Sequence, residues 1–197
     1  MKNVTYAIDY EALGIISDIE YYKLQYLHRL LVFKTLPFET LVALRKKKLR
    51  PLPLLMTHAN IKESLDVFPL EFLTITDRYV VKAGKDIFKG VKIEARHVRH
   101  QVEFELRSKI IHFRSQYAVA DKAVEKDFLF TIMPILHGLL YLAGKQRFEM
   151  PYDLTLLEKT TETDLGPLRE LWDGRRVEPK ALYSVLASLA AQADKVR

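Results

Sequence analysis

A chain of 197 residues, 49% of them hydrophobic, carries enough apolar side chain for a core of domain size, which excludes an intrinsically disordered segment. The absence of cysteine excludes a disulfide-stapled scaffold, and the formal charge of +6 permits attraction to phosphates without requiring it. The first residues have no charged start, apolar run and small-residue cleavage site, so a cytoplasmic setting is expected.

Residues 4–8 (Val4, Thr5, Tyr6, Ala7, Ile8) have the composition of a strand. Over residues 10–25 Leu13, Ile16, Ile19, Tyr22 or Lys23, and Tyr26 keep helical spacing, which predicts a helix. Leu30, Leu31, Val32 and Phe33 form a buried strand. Residues 37–48 form a helix whose Phe38, Leu41, Val42 and Leu44 should face inward. Its end is basic: Arg45, Lys46, Lys47, Lys48 and Arg50 precede Pro51 and Pro53. Cations there are favoured by the helix dipole by about 0.3–1 kcal/mol each, and the same cluster is the place for weak contact with a polyanion. A third strand over residues 52–56, a short helix or turn over 60–65, and strands over 70–75 and 79–81 complete a mixed sheet ending near Lys82.

From Ile93 the period becomes 3.6. Val98, Val102, Leu106, Ile110, Phe113 and Tyr117 make one apolar stripe, while Arg99, Glu103 and Arg107 form opposite-charge pairs four apart. Residues 126–144 are apolar nearly all round, which predicts a central helix with Phe128, Ile132, Leu136, Leu139 and Tyr141 inaccessible, kinked at Pro134. Its apolar run falls short of the roughly 20 residues of a membrane span, so no membrane partner is expected. Gly166 and Pro167 open a short helix that ends at Asp173 and Gly174. Pro179 opens the last, with Leu182, Val185, Leu186 and Leu189 apolar, and exposed apolar residues on this helix would allow a homodimer. The expected fold class is α+β: a small mixed sheet with flanking helices over residues 1–88, followed by an α-helical bundle over 93–197.

Two stretches carry a resemblance. Glu63-Ser64-Leu65-Asp66-Val67-Phe68-Pro69-Leu70-Glu71-Phe72-Leu73 and Arg99-His100-Gln101-Val102-Glu103-Phe104-Glu105-Leu106-Arg107-Ser108-Lys109, with Phe38-Glu39-Thr40-Leu41 and the segment from Tyr79 to Phe88, resemble prokaryotic nucleotidyltransferase-domain proteins of the polymerase-beta type. The likeness spans about residues 30–195 and implies a nucleotidyltransferase-like sheet before the helical part. In that family a Gly-Ser turn after the first strand holds the nucleotide phosphates. Two acids one residue apart, with a third acid nearby, hold Mg²⁺ ions, because hard cations take carboxylate oxygens and two metals neutralise the attacking and leaving oxygens. Here Asp9-Tyr10-Glu11-Ala12 stands at the turn, and Tyr26-Leu27-His28-Arg29 stands before Leu30 where the paired acids belong.

The resemblance therefore implies a nucleotidyltransferase-like protein with a degenerate active site, no cofactor or metal, and a role as a binding or scaffold module. An alternative takes Ser17-Asp18-Ile19-Glu20 as a displaced acidic pair and Glu71 as the third acid, giving an active enzyme that uses Mg²⁺ and a nucleoside triphosphate. A further alternative takes Arg107 and His112, an arginine and a histidine with four residues between them, as the pair of a HEPN-type ribonuclease or nucleic-acid-binding protein, the histidine as acid or base and the arginine as phosphorane stabiliser. His97 and His100 lack further ligands for a structural zinc.

Overall fold

The structure, a computed structural model, describes residues 8–23, 26–119 and 127–195; all but the last residue of the strand expected at residues 4–8, and the helix start expected at Lys126, lie outside these. The chain divides into two compact units, residues 1–65 with 78–92, and residues 66–77 with 93–197. It is an α+β protein: a mixed four-stranded sheet with flanking helices, and further helices.

In the first unit β1 (Ile15–Lys23) and β2 (Tyr26–Phe33) pair antiparallel. After α1 (Phe38–Lys47) comes β3 (Leu54–Thr57), parallel to β2, then α2 (His58–Ser64) and β4 (Tyr79–Gly84), antiparallel to β1. The order is β3-β2-β1-β4. The helix expected over residues 10–25 is thus a turn followed by a central strand. Ser17, Ile19 and Tyr21 recur at steps of two and are all buried, while a bulge between Ile15 and Ser17 places buried Ile15 on the other face with Asp18; Tyr22, which the helical spacing places inside, is exposed. Gly14, at φ +67°, releases the chain from the turn into β1.

Leu30–Phe33 are fully buried, and on one side of the sheet Ile15, Leu31, Phe33 and Leu44 of α1 form a core, with Tyr10 and Leu55 packed against it. Leu44 is the only buried residue of α1. Phe38, expected to face inward, is 73% exposed, and Leu41 and Val42 are exposed as well. The sheet contacts only one stripe of this short helix, so spacing alone marked too many positions as inward.

Residues 70–75, expected as a strand, belong to helix α3 (Pro69–Asp77) of the second unit. Six of its nine residues are buried, a pattern that a short, largely apolar run produces in either conformation. Pro69 at the start supplies a helical φ. Thr74 and Thr76 turn their hydroxyls onto the carbonyls of Leu70 and Phe72, which satisfies them inside the helix. Four expected helices of this unit are present as α4 (Ala95–Val119), α5 (Phe128–Leu142), α7 (Gly166–Trp172) and α8 (Pro179–Gln192); α6 (Leu154–Thr161) was not expected.

Ten of the fifteen residues of α5 are buried, Phe128, Ile132, Leu136 and Leu139 among them; Tyr141 is half-buried and its hydroxyl donates to the Ile93 carbonyl. On α4 Val98, Val102, Leu106 and Phe113 are buried, Ile110 is half-buried, and Tyr117 stands out in solvent. Leu182, Val185, Leu186 and Leu189 of α8 all enter the core. The helix's exposed positions are Lys180, Ser184, Ala187, Ser188 and Ala191, none of them a large apolar side chain. Among the described residues no helix is long and apolar enough to cross a membrane.

Gly138 sits where α5 comes closest to α3 and α4: a Cβ there would meet Leu70 Cδ2 at 2.5 Å and Val102 Cγ2 at 2.7 Å. Alanine at this position gains about 1 kcal/mol of helix propensity but overpacks the site by about 1–3 kcal/mol. Gly138→Ala is therefore expected to lower the unfolding free energy by up to about 2 kcal/mol in a urea titration; a more stable variant would show that the two helices separate without cost.

Candidate functional site

Asp18 is 1% exposed, on the side of the sheet that α1 covers. In the β1–β2 register Asp18 lies opposite Leu31 and Glu20 opposite Arg29, so Arg29 is a diagonal neighbour of Asp18 on the same face. The guanidinium closes on the carboxylate as a fork, Nε donating to Oδ1 at 2.9 Å and Nη2 to Oδ2 at 2.6 Å. Tyr10, from the turn that precedes β1, donates its hydroxyl to Oδ2 at 2.6 Å. Both oxygens of Asp18 are thereby engaged by protein donors.

Burial pushes the Asp18 carboxyl up, but the hydrogen bonds from Arg29 and Tyr10 and the charges of Arg29 and Lys82 outweigh it and hold the group below the ordinary carboxylate range. The hydrogen bond to Asp18 raises Arg29 in turn, and burial, followed by the bond to Asp18, raises Tyr10. The cluster is an ionised pair with a protonated phenol.

Glu20 meets Lys82 of β4 at 3.5 Å. Between Asp18 and Ile19 the β1–β4 register jumps from Ala83 to Val81, so Lys82 is the extra residue of a bulge, the kind of irregularity that re-aims a side chain. Each of the two acids proposed as a metal pair thus has a cation of its own. Glu71 is in the first turn of α3, in the other unit, and the strand alternation that placed it as a third acid does not exist. Among the described residues no group of three or more His, Asp or Glu side chains is gathered to hold a metal ion. Where the resemblance expects the acidic pair, His28 stacks on Tyr21 with ring centroids 5.4 Å apart, and Arg29 is committed to Asp18.

Arg107 and His112 are both exposed on α4. A separation of five positions along a helix turns their directions apart by about 140°, so they occupy different faces. The basic cluster at the end of α1 divides. Arg45, Lys46 and Lys47 form the last helical turn and Lys48 the left-handed C-cap; Arg45, Lys48 and Arg50 rim a groove of about 440 Å³ floored by Leu44, Leu49 and Leu55. None of these cations forms an ion pair among the described residues.

Compared with family models, with curated proteins and with solved structures, the chain shows no match.

Sequence reasoning singled out Asp18 but missed Tyr10 and Arg29 as its partners. The signal is the hairpin register, which the helical spacing over residues 10–25 hides. Removing one member of a buried ion pair costs about 3–5 kcal/mol, because the other charge is left without compensation. Arg29→Met is expected to fall in that range, and the double variant Asp18→Asn/Arg29→Met to recover part of it. The sign with pH follows from the depressed carboxyl. In the wild type the contribution of Asp18 is complete above its unfolded value of about 3.8 and is lost as pH falls toward the lower folded value. Arg29→Met raises the folded value, so the acid loss attributable to Asp18 shrinks. Equal acid limbs in denaturation curves of the two proteins would contradict the pairing.

Proposed function

We propose that this protein is a nucleotidyltransferase-like protein without nucleotidyl transfer, whose first unit is retained as a binding or scaffold module in the cytoplasm. The observation that carries this reading is the closed Asp18–Arg29–Tyr10 cluster. Nucleotidyl transfer depends on positioning and on metal ions that neutralise the phosphates. A buried carboxylate that already accepts three hydrogen bonds from a guanidinium and a phenol leaves Mg²⁺ one lone pair, on Oδ1, and the fixed positive charge of Arg29 repels a dication from the same place.

Tyr10 comes from the segment where the resemblance expects the phosphate-holding turn, and its hydroxyl is turned onto Asp18. Glu20, the other acid of the alternative pair, is partly neutralised by Lys82, although this exposed pair is weak. On this reading the module's anion-facing surface is the end of α1, where Arg45, Lys46, Lys47, Lys48 and Arg50 attract a polyanion weakly and in a salt-dependent way.

Incubation with labelled nucleoside triphosphates, Mg²⁺ or Mn²⁺ and mixed RNA and protein acceptors is expected to label nothing above background. Losing a metal-binding carboxylate costs several kcal/mol, and each 1.4 kcal/mol is about tenfold in rate. Labelling that disappears on Asp18→Ala or Glu20→Ala would establish that the cluster opens and that the protein is an enzyme.

A further inference from the structure

Two helix ends of the second unit, the C-terminal turns of α4 and the first turn of α8, enclose an open cleft of about 390 Å³ lined by Phe113, Arg114, Tyr117, Pro179, Lys180 and Tyr183. The volume is within the range of small-ligand sites. Phe113 is its buried floor, held edge-on by Phe128 at 6.4 Å and tilted against Tyr183 at 5.6 Å. Tyr117, four residues on, stacks on Phe113 at 6.2 Å, yet the residue is 63% exposed, so most of its surface remains in water.

An aromatic stripe at helical spacing is ordinarily core, and Phe113 is; Tyr117 and Arg114 are not. Arg114 Nε and Nη2 both donate to the Tyr183 hydroxyl, at 2.9 and 2.7 Å, which fixes the guanidinium at the rim and leaves its other N–H groups unengaged among the described residues. Neither Arg114 nor Lys180 has a carboxylate partner among the described residues, and none of the six lining residues is acidic. The cleft combines aromatic rings, one of them open to solvent, with two uncompensated cations.

That combination selects a ligand that is flat, aromatic and anionic. We infer that the cleft binds a nucleotide of a single-stranded nucleic acid, its base stacked on Tyr117 and its phosphates against Arg114 and Lys180. A strand fits better than a free nucleotide, because the cleft is open and two cations hold one phosphate weakly, whereas the chain's +6 charge attracts a polyanion at long range. A purely charge-driven ligand such as an acidic peptide would leave the rings without a role. This inference is independent of the silence of the first unit, and its test involves neither Mg²⁺ nor triphosphate.

The experiment is fluorescence anisotropy with a labelled single-stranded oligouridylate of about twelve nucleotides. Tyr117→Ala is expected to bind about 5- to 150-fold more weakly, the range that loss of one base stack gives, and Tyr117→Trp to retain affinity. Lys180→Gln is expected to reduce the slope of log affinity against log salt by about 0.7. Tyr117 and Lys180 are exposed, so these variants should keep the wild-type circular dichroism and melting curve. Three results would overturn the inference: unchanged affinity in Tyr117→Ala with loss on neutralising Lys46 and Lys47, equal competition by polyglutamate, or adenosine monophosphate binding as tightly as the strand.

Discussion

A carboxylate removed from water must be matched by a cation or by hydrogen-bond donors, or it gives up its charge. Asp18 obeys the first course, and much of the first unit is consistent with that requirement. The side chain can reach Arg29 only if β1 and β2 pair with Glu20 opposite Arg29, and a shift by one residue would send Asp18 to the other face of the sheet. The same shift would turn Ile15 away from the core it forms with Leu31, Phe33 and Leu44. Apolar burial and ion pairing therefore specify one register together. Tyr10 extends the constraint to the turn before β1, since its ring packs on that core while its hydroxyl reaches the carboxylate.

The second unit depends on a steric constraint of another kind. A helix carrying Pro134 lacks one backbone hydrogen bond and would be costly in solvent. Burial of ten of its fifteen residues offsets this, and the bare backbone at Gly138 admits Leu70 of α3 and Val102 of α4 to distances that any Cβ would block. That contact gives a physical reason for α3 to belong to the helical unit although it lies in sequence between β3 and β4. The Leu70 amide donating to Gln101 Oε1 of α4 holds the same junction by its polar atoms.

What was legible in the sequence follows from how each signal is carried. Proline and glycine act locally, so the starts of α7 and α8 could be read from Pro167 and Pro179, and the 3.6 period of α4 is sustained long enough to be unambiguous. β1 was misread because two of its inward positions are Ser17 and Asp18, which an apolar count treats as outward. α3 was misread because burial all round erases any period. α6 escaped notice because its inward face ends in Thr161, whose hydroxyl is satisfied by the carbonyl of Leu157 inside the helix.

The sites were less legible than the fold for the same physical reason: they are made by residues distant in sequence. Asp18 alone resembles a metal ligand, and only the guanidinium eleven residues away makes it a closed ion pair. Arg114 and Tyr183, sixty-nine residues apart, likewise carry no joint signal until α4 and α8 are packed together. The chemical contrast between these places is one of compensation. In the first unit the candidate acids face Arg29 and Lys82, whereas the α1 end and the α4–α8 cleft carry cations with no carboxylate partner among the described residues. Attraction for an outside anion is strongest where charge is left unmatched, which favours these two cationic surfaces over the paired Asp18 and Glu20.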